Sequence, residues 1–283
     1  MRQGDISAIG DRLAALDVGY SGGCTVVQEG IACDFAFDRN PDLVREALHG
    51  AFNQTDVVVQ PVAGREKRLL VADMDSTMIT VECIDELADY AGLKAEVSAV
   101  TEAAMRGELD FEGALDARVA LLAGLEQGVI DRCLAERVRI MPGAKALVRT
   151  MRARGGRCVL VSGGFTRFAE PVAAEIGFDR AVANRLVIEN GVLTGKVEKP
   201  IVGSATKEAV LREEADDLAH AMAVGDGAND LPMIRAAGAG GGLGVAYRAK
   251  PIVAAEAGVR IEHGDLSTLL YAQGIGRADW VLD

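Results

Sequence analysis

Two aspartates stand two residues apart at the end of a short apolar run. Asp73 and Asp75 belong to the sequence Asp-Met-Asp-Ser-Thr, and the run that they close begins at Arg68. A carboxylate can attack phosphorus as a nucleophile, and a second one nearby can donate a proton to a leaving oxygen. Asp, Ser and Thr also favour turns and helix N-caps, so the motif by itself fits a structural role equally well.

Two later apolar runs end in polar residues in the same way. A Ser-Gly-Gly sequence closes the first, and a hydroxyl with glycine N–H groups at a helix N-terminus can hold a phosphate. A Gly-Asp-Gly-Ala-Asn-Asp sequence closes the second, and a lysine lies on the predicted helix before it. Each feature alone also fits a turn, a helix cap or a solvated side chain. The residues concerned are Ser162, Gly163, Lys207, Asp226, Asn229 and Asp230.

The elements that must position these residues alternate between strands and helices. The strand-like runs span 68–73, 157–162, 219–226 and 243–247, and the helical stretches between them include 165–176, 204–215 and 230–237. Such alternation predicts an α/β fold with a doubly wound, Rossmann-like parallel sheet that helices cover on both faces. Because ligands of such sheets bind beyond the carboxyl ends of the strands, we expect the polar residues to meet at one edge.

Two features interrupt this alternation. The interval 81–140 lacks strand-like runs, so it is predicted to be a helical insert after the first core strand that covers the reactive edge as a cap. Its predicted helices span 82–90, 95–106, 111–125 and 129–137. A hairpin is predicted farther along, with strands 186–189 and 192–197, because the Asn190-Gly191 sequence between them suits a type I′ turn.

Residues 1–66 are predicted to form a small N-terminal α/β module, and residues 67–283 the main domain. Strand-like runs span 32–37 and 56–62. A helix is predicted over 41–52, with Asn40 as its candidate N-cap and Pro41 in its first turn. Because about 66 residues are few for an independent core, we expect this module to pack on the rest of the chain.

The composition limits the partners and the compartment. The net charge is −12, and so acidic a surface repels nucleic acid and anionic lipid, although a bound divalent cation would still admit an anionic small molecule. No run approaches the roughly 18 apolar residues of a membrane span, and no signal peptide is visible. The five cysteines form no Cys-x-x-Cys pair, which favours a reducing compartment. A cytoplasmic protein without nucleic-acid or membrane partners is therefore expected.

Taken in order, these motifs resemble the haloacid dehalogenase superfamily of phosphohydrolases, and within it the phosphoserine phosphatases. The resemblance covers about residues 68–270, and it is specific as a set. Residues 1–66 resemble more weakly a reduced form of an amino-terminal domain that some members carry. The sequence segments that carry the resemblance begin at Asp73, Glu82, Arg118, Ser162, Ala183 and Gly225.

The resemblance implies roles for the aspartates. In the family the first aspartate, here Asp73, attacks phosphorus and forms an aspartyl-phosphate. The second, here Asp75, protonates the leaving oxygen and then activates water. Members that keep a long-lived aspartyl-phosphate carry threonine at the second position, so a carboxylate there favours rapid hydrolysis. Mg2+ is implied on the side chains of Asp73 and Asp226 and on the backbone carbonyl of Asp75, because this hard cation takes oxygen ligands.

The resemblance also implies how substrate is held. Ser162, Gly163, Lys207 and Asn229 would hold the phosphoryl oxygens, and Asp230 would orient Lys207 or a metal-bound water. Two charged residues of the predicted cap, Glu82 and Arg118, would bind the ammonium and carboxylate groups of the substrate serine. Without the family match, Glu82 and Arg118 fit a surface ion pair better than a substrate-binding role. Met105 and Phe111 fit either an apolar rim that excludes water or ordinary core packing.

The function that these implications favour is Mg2+-dependent hydrolysis of O-phosphoserine to serine and phosphate, the last step of serine biosynthesis. A related phosphatase or phosphotransferase acting on another small phosphomonoester, such as phosphohomoserine, stays open. A nucleotide-binding oxidoreductase is disfavoured, because the glycine run 238–244 does not fit Gly-x-Gly-x-x-Gly. The intact acidic motifs disfavour a non-catalytic amino-acid sensor. Oligomeric state is not determined by the sequence, and a homodimer is one candidate assembly.

Overall fold

A computed structural model describes residues 3–105 and 108–282, with the side chains of residues 5–104 and 108–282. The N-terminal segment contains α1 (Gln3–Ala15), β1 (Thr25–Gln28), β2 (Ala32–Asp34) and α2 (Pro41–Leu48). The first core strand and the helices after it are β3 (Leu69–Ala72), α3 (Cys83–Tyr90), α4 (Lys94–Met105), α5 (Phe111–Leu121), α6 (Gly128–Arg137) and α7 (Ala144–Ala153).

The second half of the chain returns to alternating strands and helices. It contains β4 (Arg157–Phe165), α8 (Thr166–Ile176), β5 (Arg180–Asn184), β6 (Leu186–Glu189), β7 (Val192–Val197), α9 (Ser204–Glu214), β8 (Ala221–Gly225) and α10 (Leu231–Ala239). It ends with β9 (Leu243–Tyr247), α11 (Pro251–Glu256), β10 (Val259–Ile261) and α12 (Thr268–Ala272).

The central sheet is parallel, and its six strands lie in the order β10-β9-β8-β3-β4-β5. The first strand in the chain, β3, lies in the middle, with β8 on one side and β4 on the other. The doubly wound parallel sheet predicted from the alternation is therefore confirmed. The four predicted core strands are all present, and β5 and β10 extend the sheet at its two edges.

Alternate residues of the core strands enter two separate apolar layers. Leu70 and Ala72 of β3 pack in the layer that includes α7 and α8. Leu69 and Val71 pack on the opposite face, in the layer that includes α9, α10 and α11. All four side chains are buried, because helices cover both faces of the sheet. This two-sided burial fixes the register of β3, since a slip of one residue would move every side chain to the wrong face.

The predicted helical insert is confirmed as α3, α4, α5 and α6. An isolated antiparallel bridge between Ile79 and Ile140 joins the two points where the chain leaves and re-enters the core. The third insert helix, α5, is capped by Asp110, whose carboxylate accepts the Gly113 N–H at 2.8 Å. It begins at Phe111 as predicted and ends at Leu121, four residues before the predicted end. The predicted helix 95–106 ends at a residue outside the described part of the chain.

The predicted hairpin is confirmed and packs against the insert. Asn190 and Gly191 both have positive φ, 51° and 81°, as a type I′ turn requires between β6 and β7. The Leu193 N–H of the hairpin donates to the Leu125 carbonyl at 2.8 Å, and the Gly124 N–H donates to the Leu193 carbonyl at 2.9 Å. These backbone bonds join the hairpin to the chain between α5 and α6 of the insert.

The N-terminal segment differs most from its prediction. The predicted strand over 56–62 was wrong, because no strand forms there. The predicted strand 32–37 is present only as the shorter β2, so its predicted length was wrong. Asn40 occupies the N-cap position of α2 as predicted, but its side chain donates to the Asp17 carbonyl and makes no cap bond to the helix. A strand needs a neighbour to share its hydrogen bonds, and the periodicity of residues 56–62 contained no information about that neighbour.

Asp56 attaches this segment to the core. Its carboxylate accepts the backbone N–H groups of Glu262, His263 and Gly264 at 2.8, 3.1 and 2.7 Å. All five cysteines of the chain are free thiols. Within the described residues, none of the helices combines the length and the apolarity needed to cross a membrane.

Candidate active site

The ends of three neighbouring strands bring the predicted aspartates together. Asp73 follows β3, Asp226 follows β8, and Ser162 lies within β4. The Asp73 N–H donates to the Val224 carbonyl of β8 at 2.9 Å, which continues the sheet pairing up to the first aspartate. Because β3 is central, its carboxyl end has a neighbour on each side, and the residues that follow all three strands share one edge.

A buried lysine links two of the acidic residues. Lys207 extends from α9 with no exposed surface, and its Nζ contacts a carboxylate oxygen of Asp73. The same Nζ donates to Asp230 Oδ1 at 2.7 Å. Burial alone would lower the pKa of Lys207, but the two neighbouring carboxylates outweigh it and raise that pKa above its ordinary value. Lys207 therefore carries a positive charge inside the site.

Asp230 also fixes the loop that carries Asp226. Its Oδ2 accepts the backbone N–H groups of Asp226 and Gly227 at 3.1 and 3.0 Å. A side chain at Gly225 would come within 2.4 Å of the Asp230 carboxylate, so glycine is needed where the strand passes this close. One Asp230 oxygen accepts from Lys207 and the other accepts from two N–H groups. Asp230 is therefore a brace, that is, a residue that holds Lys207 and the loop of Asp226 in position.

Three carboxylates at this edge form a group that could hold a metal ion. One oxygen from each of Asp73, Asp226 and Asp230 lies within 4.8 Å of the others, and all three residues are buried. Burial first, and then neighbouring carboxylates, raise the pKa of Asp226 to about 6 and that of Asp73 well above its ordinary range. Thr77 Oγ1 donates to Asp226 Oδ1 at 3.3 Å. A divalent cation bound by oxygen atoms would neutralise the negative charge of these closely spaced carboxylates.

Asp75 faces the same cleft and is held by two donors. Its Oδ1 accepts the Cys83 N–H at the start of α3 at 2.8 Å, and its Oδ2 accepts the Ser162 hydroxyl at 3.2 Å. Burial, with a smaller contribution from Glu82, raises the pKa of Asp75 to about 6. A side chain at Gly164 would come within 2.9 Å of this carboxylate, so the second glycine of Ser-Gly-Gly makes room for it. Asp75 can therefore gain and lose a proton near neutral pH.

The insert closes over these residues and leaves a cavity of about 100 Å³. The core contributes the carboxylates and the two loops. The insert contributes Glu82, Phe111 and Arg118, together with the aliphatic side chains of Ile84 and Leu115. The Phe111 ring lies so close to Gly163 that a Cβ there would approach it to 3.2 Å. Asn229 and Lys250 also line the cavity. A negative, an aromatic and a positive side chain thus face the acidic edge across a small space.

Glu82 and Arg118 approach the cavity from different helices. Glu82 is the N-cap residue of α3, and its carboxylate accepts the Ser76 hydroxyl at 2.8 Å. The Arg118 guanidinium lies in α5, donates to the Ala114 carbonyl at 3.2 Å, and has a pKa lowered by burial. Over the part of the chain that the structure describes, Arg118 forms no ion pair. Its positive charge therefore remains available to a bound anion.

The structure brings together the ten residues to which the sequence gave catalytic, substrate-binding or metal-binding roles. It also adds residues to which the motifs gave no role, above all Asn184 at the end of β5. The Asn184 side chain is buried, and its Nδ2 donates to the carbonyls of Gly163 and Val202 at 2.9 and 3.1 Å. Its Oδ1 accepts the Val202 N–H at 2.7 Å. The position was visible in the Ala-Asn-Arg-Leu motif, but its partners lie about twenty residues away on either side. The side chain of Met105 lies outside the described residues.

Comparison with known proteins agrees with this geometry. Residues 70–235 match the family model of haloacid dehalogenase-like hydrolases, which is more than half of the chain. Phosphoserine phosphatase SerB2 of Mycobacterium tuberculosis is 46% identical over 235 residues, which cover 81% of this chain but only 56% of that protein. The chain thus spans about half the length of this relative. A phosphoserine phosphatase of Albidiferax ferrireducens is 47% identical over 219 residues, covering 74% of this chain and 91% of that protein.

A solved structure shows the same fold. It is a phospho-aspartyl intermediate analogue of a phosphoserine phosphatase, with 37% sequence identity and a TM-score of 0.65. The match covers 73% of this chain and 98% of that one. The part of the present chain that the match leaves uncovered is comparable in size to the N-terminal segment.

Proposed function

Because this chain belongs to the haloacid dehalogenase-like hydrolase family, we propose that it hydrolyses O-phosphoserine to serine and phosphate through an aspartyl-phosphate. The observation that carries the proposal is the cavity in which Asp73 and Asp75 face Glu82 and Arg118, with the buried Lys207 in contact with Asp73. Asp73, Asp75 and Lys207 supply a nucleophile, an acid and a cation for a phosphoryl group. Glu82 and Arg118 match the charges of an amino acid.

We propose Mg2+ as the ion that the acidic edge holds, on Asp73, Asp226 and the backbone carbonyl of Asp75. The donor set fits a hard cation, since it consists of oxygen atoms and the carboxylates are buried close together. The third carboxylate of the cluster, Asp230, is committed to Lys207 and two backbone N–H groups, which supports its role as a brace. When bound, the ion would offset the charge between the carboxylates and the phosphate dianion.

Asp73 is the proposed nucleophile. Its carboxylate oxygen attacks phosphorus, the new Asp73–phosphorus bond forms, and the bond between phosphorus and the serine oxygen breaks. Lys207 is charged and contacts Asp73, so it favours the deprotonated carboxylate and can hold a phosphoryl oxygen as charge builds up. The Ser162 hydroxyl, the Gly163 N–H and Asn229 are proposed to hold the remaining oxygens.

Asp75 is the proposed acid and base. In the first step its proton passes to the leaving serine oxygen. In the second step Asp75 takes a proton from water as that water attacks phosphorus, and the Asp73–phosphorus bond breaks to release phosphate. Burial raises its pKa to about 6, which keeps both protonation states accessible. The Cys83 N–H and the Ser162 hydroxyl hold the carboxylate in one orientation between the two steps.

Glu82 and Arg118 are proposed to select phosphoserine. Arg118 has no ion-pair partner among the described residues, and a guanidinium suits two-point binding of a carboxylate. The Glu82 carboxylate already accepts a hydrogen bond from the Ser76 hydroxyl, so an ammonium group could take the position of that hydroxyl as the donor. The aromatic ring of Phe111 lines the same cavity next to Gly163, and we propose that it limits the water that reaches the site.

The remaining features of the proposal follow from this activity. The reaction is the last step of serine biosynthesis, for which we propose a cytoplasmic location; the five free thiols are compatible with it. We further propose that residues 1–66 form a separate module on a phosphatase core of residues 67–283 with a cap at 81–140. A homodimer is proposed as the assembly, to be measured by analytical ultracentrifugation.

The test is phosphate release from a panel of small phosphomonoesters, each measured with Mg2+ and with a strong chelator. We expect phosphoserine to have the highest kcat/KM, and the chelator to abolish turnover until Mg2+ is restored. A panel containing phosphoserine, phosphohomoserine, phosphothreonine and p-nitrophenyl phosphate separates substrate choice from reaction class. Equal rates on all four esters would retain the phosphatase and reject phosphoserine as its substrate.

A further inference from the structure

Two cysteines lie close together in the N-terminal segment, outside the site described above. Cys24 immediately precedes β1, and Cys33 is the central residue of β2. These two strands form an antiparallel ribbon in which Val26 is paired directly with Cys33. Side chains two residues apart on a strand share a face, so Cys24 lies diagonally across the ribbon from Cys33 and on the same face.

The two side chains are in contact and differ in exposure. The Cys33 thiol donates a hydrogen bond to the Cys24 sulfur. Burial, and then the neighbouring Cys24 sulfur, raise the pKa of Cys33 to about 11. Cys24 is exposed, whereas Cys33 is half-buried. At neutral pH Cys33 therefore stays protonated, and Cys24 is the sulfur that a reagent in the solvent reaches first.

The backbone before β1 allows the two sulfurs to bond. Diagonal neighbours in a regular ribbon have Cα atoms about 7–8 Å apart, slightly more than the roughly 4.4–6.8 Å that a disulfide spans. The register of this ribbon shifts between Val26 and Gln28, and such a shift increases the local twist. Cys24 lies outside the paired residues and follows Gly22 and Gly23, which both have positive φ and open space around them. A small movement at these glycines can close the remaining distance without breaking a strand pair.

We propose that Cys24 and Cys33 form a reversible redox site that a peroxide converts into a disulfide. The Cys24 thiolate attacks one oxygen of the peroxide, the O–O bond breaks, and a sulfenic acid forms on Cys24. The Cys33 sulfur then attacks that sulfenic sulfur, the S–S bond forms, and hydroxide leaves with the proton of Cys33 as water. With hydrogen peroxide, two thiols and one peroxide give one disulfide and two waters, so the two electrons that the sulfurs lose reduce the peroxide. A small dithiol reverses the reaction by thiol–disulfide exchange.

The three other cysteines of the chain lack these properties. Cys83, Cys133 and Cys158 are buried, and burial raises the pKa of each thiol. In a reducing compartment, the disulfides that form are typically transient and serve redox sensing. An exposed thiol with a second thiol beside it is the arrangement that such sensing requires. The inference does not depend on the proposed phosphatase activity.

The pair lies beside a contact between the ribbon and the core. Asp34 follows Cys33, and its carboxylate accepts Arg65 Nη2 at 3.0 Å. The same nitrogen donates to the Ala272 carbonyl of α12 at 3.1 Å. A bond between Cys24 and Cys33 would restrain the ribbon next to this contact and close a short loop of chain. Oxidation should therefore raise the thermal midpoint of unfolding.

The experiment is peptide mapping of the full chain after treatment with hydrogen peroxide. Unreacted thiols are blocked with N-ethylmaleimide, and the unfolded chain is then cleaved after glutamate. Glu29 is the one glutamate between the two cysteines, so cleavage there leaves Cys24 and Cys33 on separate fragments. We expect these fragments to stay joined after oxidation and to separate after dithiothreitol. Cys24 should lose its reactivity towards N-ethylmaleimide at least about tenfold faster than the three buried cysteines, because access and thiolate fraction govern thiol oxidation.

Two variants assign the separate roles of the cysteines. In Cys33→Ser, peroxide should leave a sulfenic acid on Cys24 that dimedone labels, because the second thiol is missing. In Cys24→Ser, dimedone labelling of Cys33 should be at least about tenfold lower, because its thiol is half-buried and protonated.

The proposal would be overturned if the oxidised wild type gives only separate fragments. It would also be overturned if Cys24 pairs mainly with Cys24 of a second copy, or if dimedone labels Cys33 as fast as Cys24. The map of the wild-type chain needs no variant, so it decides the question even if a variant does not fold.

Discussion

The substitution Arg118→Ala tests how the proposed enzyme recognises its substrate. The guanidinium lines the small cavity beside the catalytic carboxylates and is partly buried, and among the described residues its one hydrogen bond is to the Ala114 carbonyl. Truncation would leave the carboxylate of phosphoserine without its partner in a site from which water is partly excluded. Leaving a charge unpaired in such a place costs about 2–5 kcal/mol, which corresponds to a loss of roughly 30- to 5000-fold in kcat/KM.

The assay compares two substrates with the same variant. With phosphoserine, kcat/KM should fall by the amount given above. With p-nitrophenyl phosphate, which has neither an ammonium nor a carboxylate group, the loss should be much smaller, because Asp73 and Asp75 are unchanged. Glu82→Ala should give the same selective pattern, since its carboxylate lies in the same cavity. Selectivity between substrates, rather than a loss of activity in general, is the property that assigns these residues to recognition.

A matched control separates recognition from the integrity of the insert. Arg137 is a second arginine of the insert, and it pairs with Glu86 and Asp89 at 3.4 and 3.2 Å on a half-exposed surface. Arg137→Ala should change kcat/KM for both substrates by less than about threefold, because exposed ion pairs contribute little. Equal losses on both substrates in Arg118→Ala would refute the reasoning, since Arg118 would then support closure or stability of the insert instead.

Four further outcomes are expected. Asn184→Ala should lower kcat about 100-fold with a smaller change in KM, because it frees the Gly163 and Val202 backbone from each other; steady-state kinetics on correctly folded protein measures this. Asp230→Asn should lower kcat by a similar factor, since its single amide oxygen cannot accept both from Lys207 and from the two N–H groups, and wild-type kinetics would argue against the brace. Chelation should lower the thermal midpoint, and Mg2+ should restore it, as scanning calorimetry would show. Without metal, Asp75 has a pKa of about 6 in the folded chain and about 4 in the unfolded chain. Between these two pH values the folded chain binds a proton that the unfolded chain has released. The free energy of unfolding should therefore fall as the pH rises through this window. Urea unfolding from about pH 4 to about pH 6 should show this fall in the wild type and a smaller one in Asp75→Asn.

The catalytic edge could be predicted from the sequence because its signals are local. Each motif directly follows an apolar run, and parallel strands bring their carboxyl ends to one edge, so Asp73, Ser162 and Asp226 could be placed together without coordinates. The hairpin was equally accessible, because Asn190-Gly191 determines the turn that joins its strands. The insert followed from helical periodicity, and its position above the site followed from its place after the first core strand.

The features that the sequence did not predict depend on contacts between residues distant in the chain. Asn184 lies at the end of an edge strand, and its role is apparent only once β5 places it between the glycine loop and the chain that enters α9. Residues 56–62 have the apolar pattern of a strand, but the structure contains no neighbour for them, and strand formation requires one. Asn40 precedes a helix as an N-cap would, yet its amide donates to Asp17 across the segment instead. Tertiary contacts decided each of these cases.

The most direct measurement is the initial rate of phosphate release from O-phosphoserine by the wild-type chain and by Asp73→Asn, both with Mg2+. The amide replaces a carboxylate of nearly the same size beside Lys207, so the fold should be retained, as circular dichroism can confirm. We expect the wild type to turn over and the variant to lose at least about 10⁴-fold in kcat, the magnitude typical of removing a nucleophile. Wild-type rates in a folded variant, with deamidation excluded by mass spectrometry, would contradict the assignment of Asp73 as the group that attacks phosphorus.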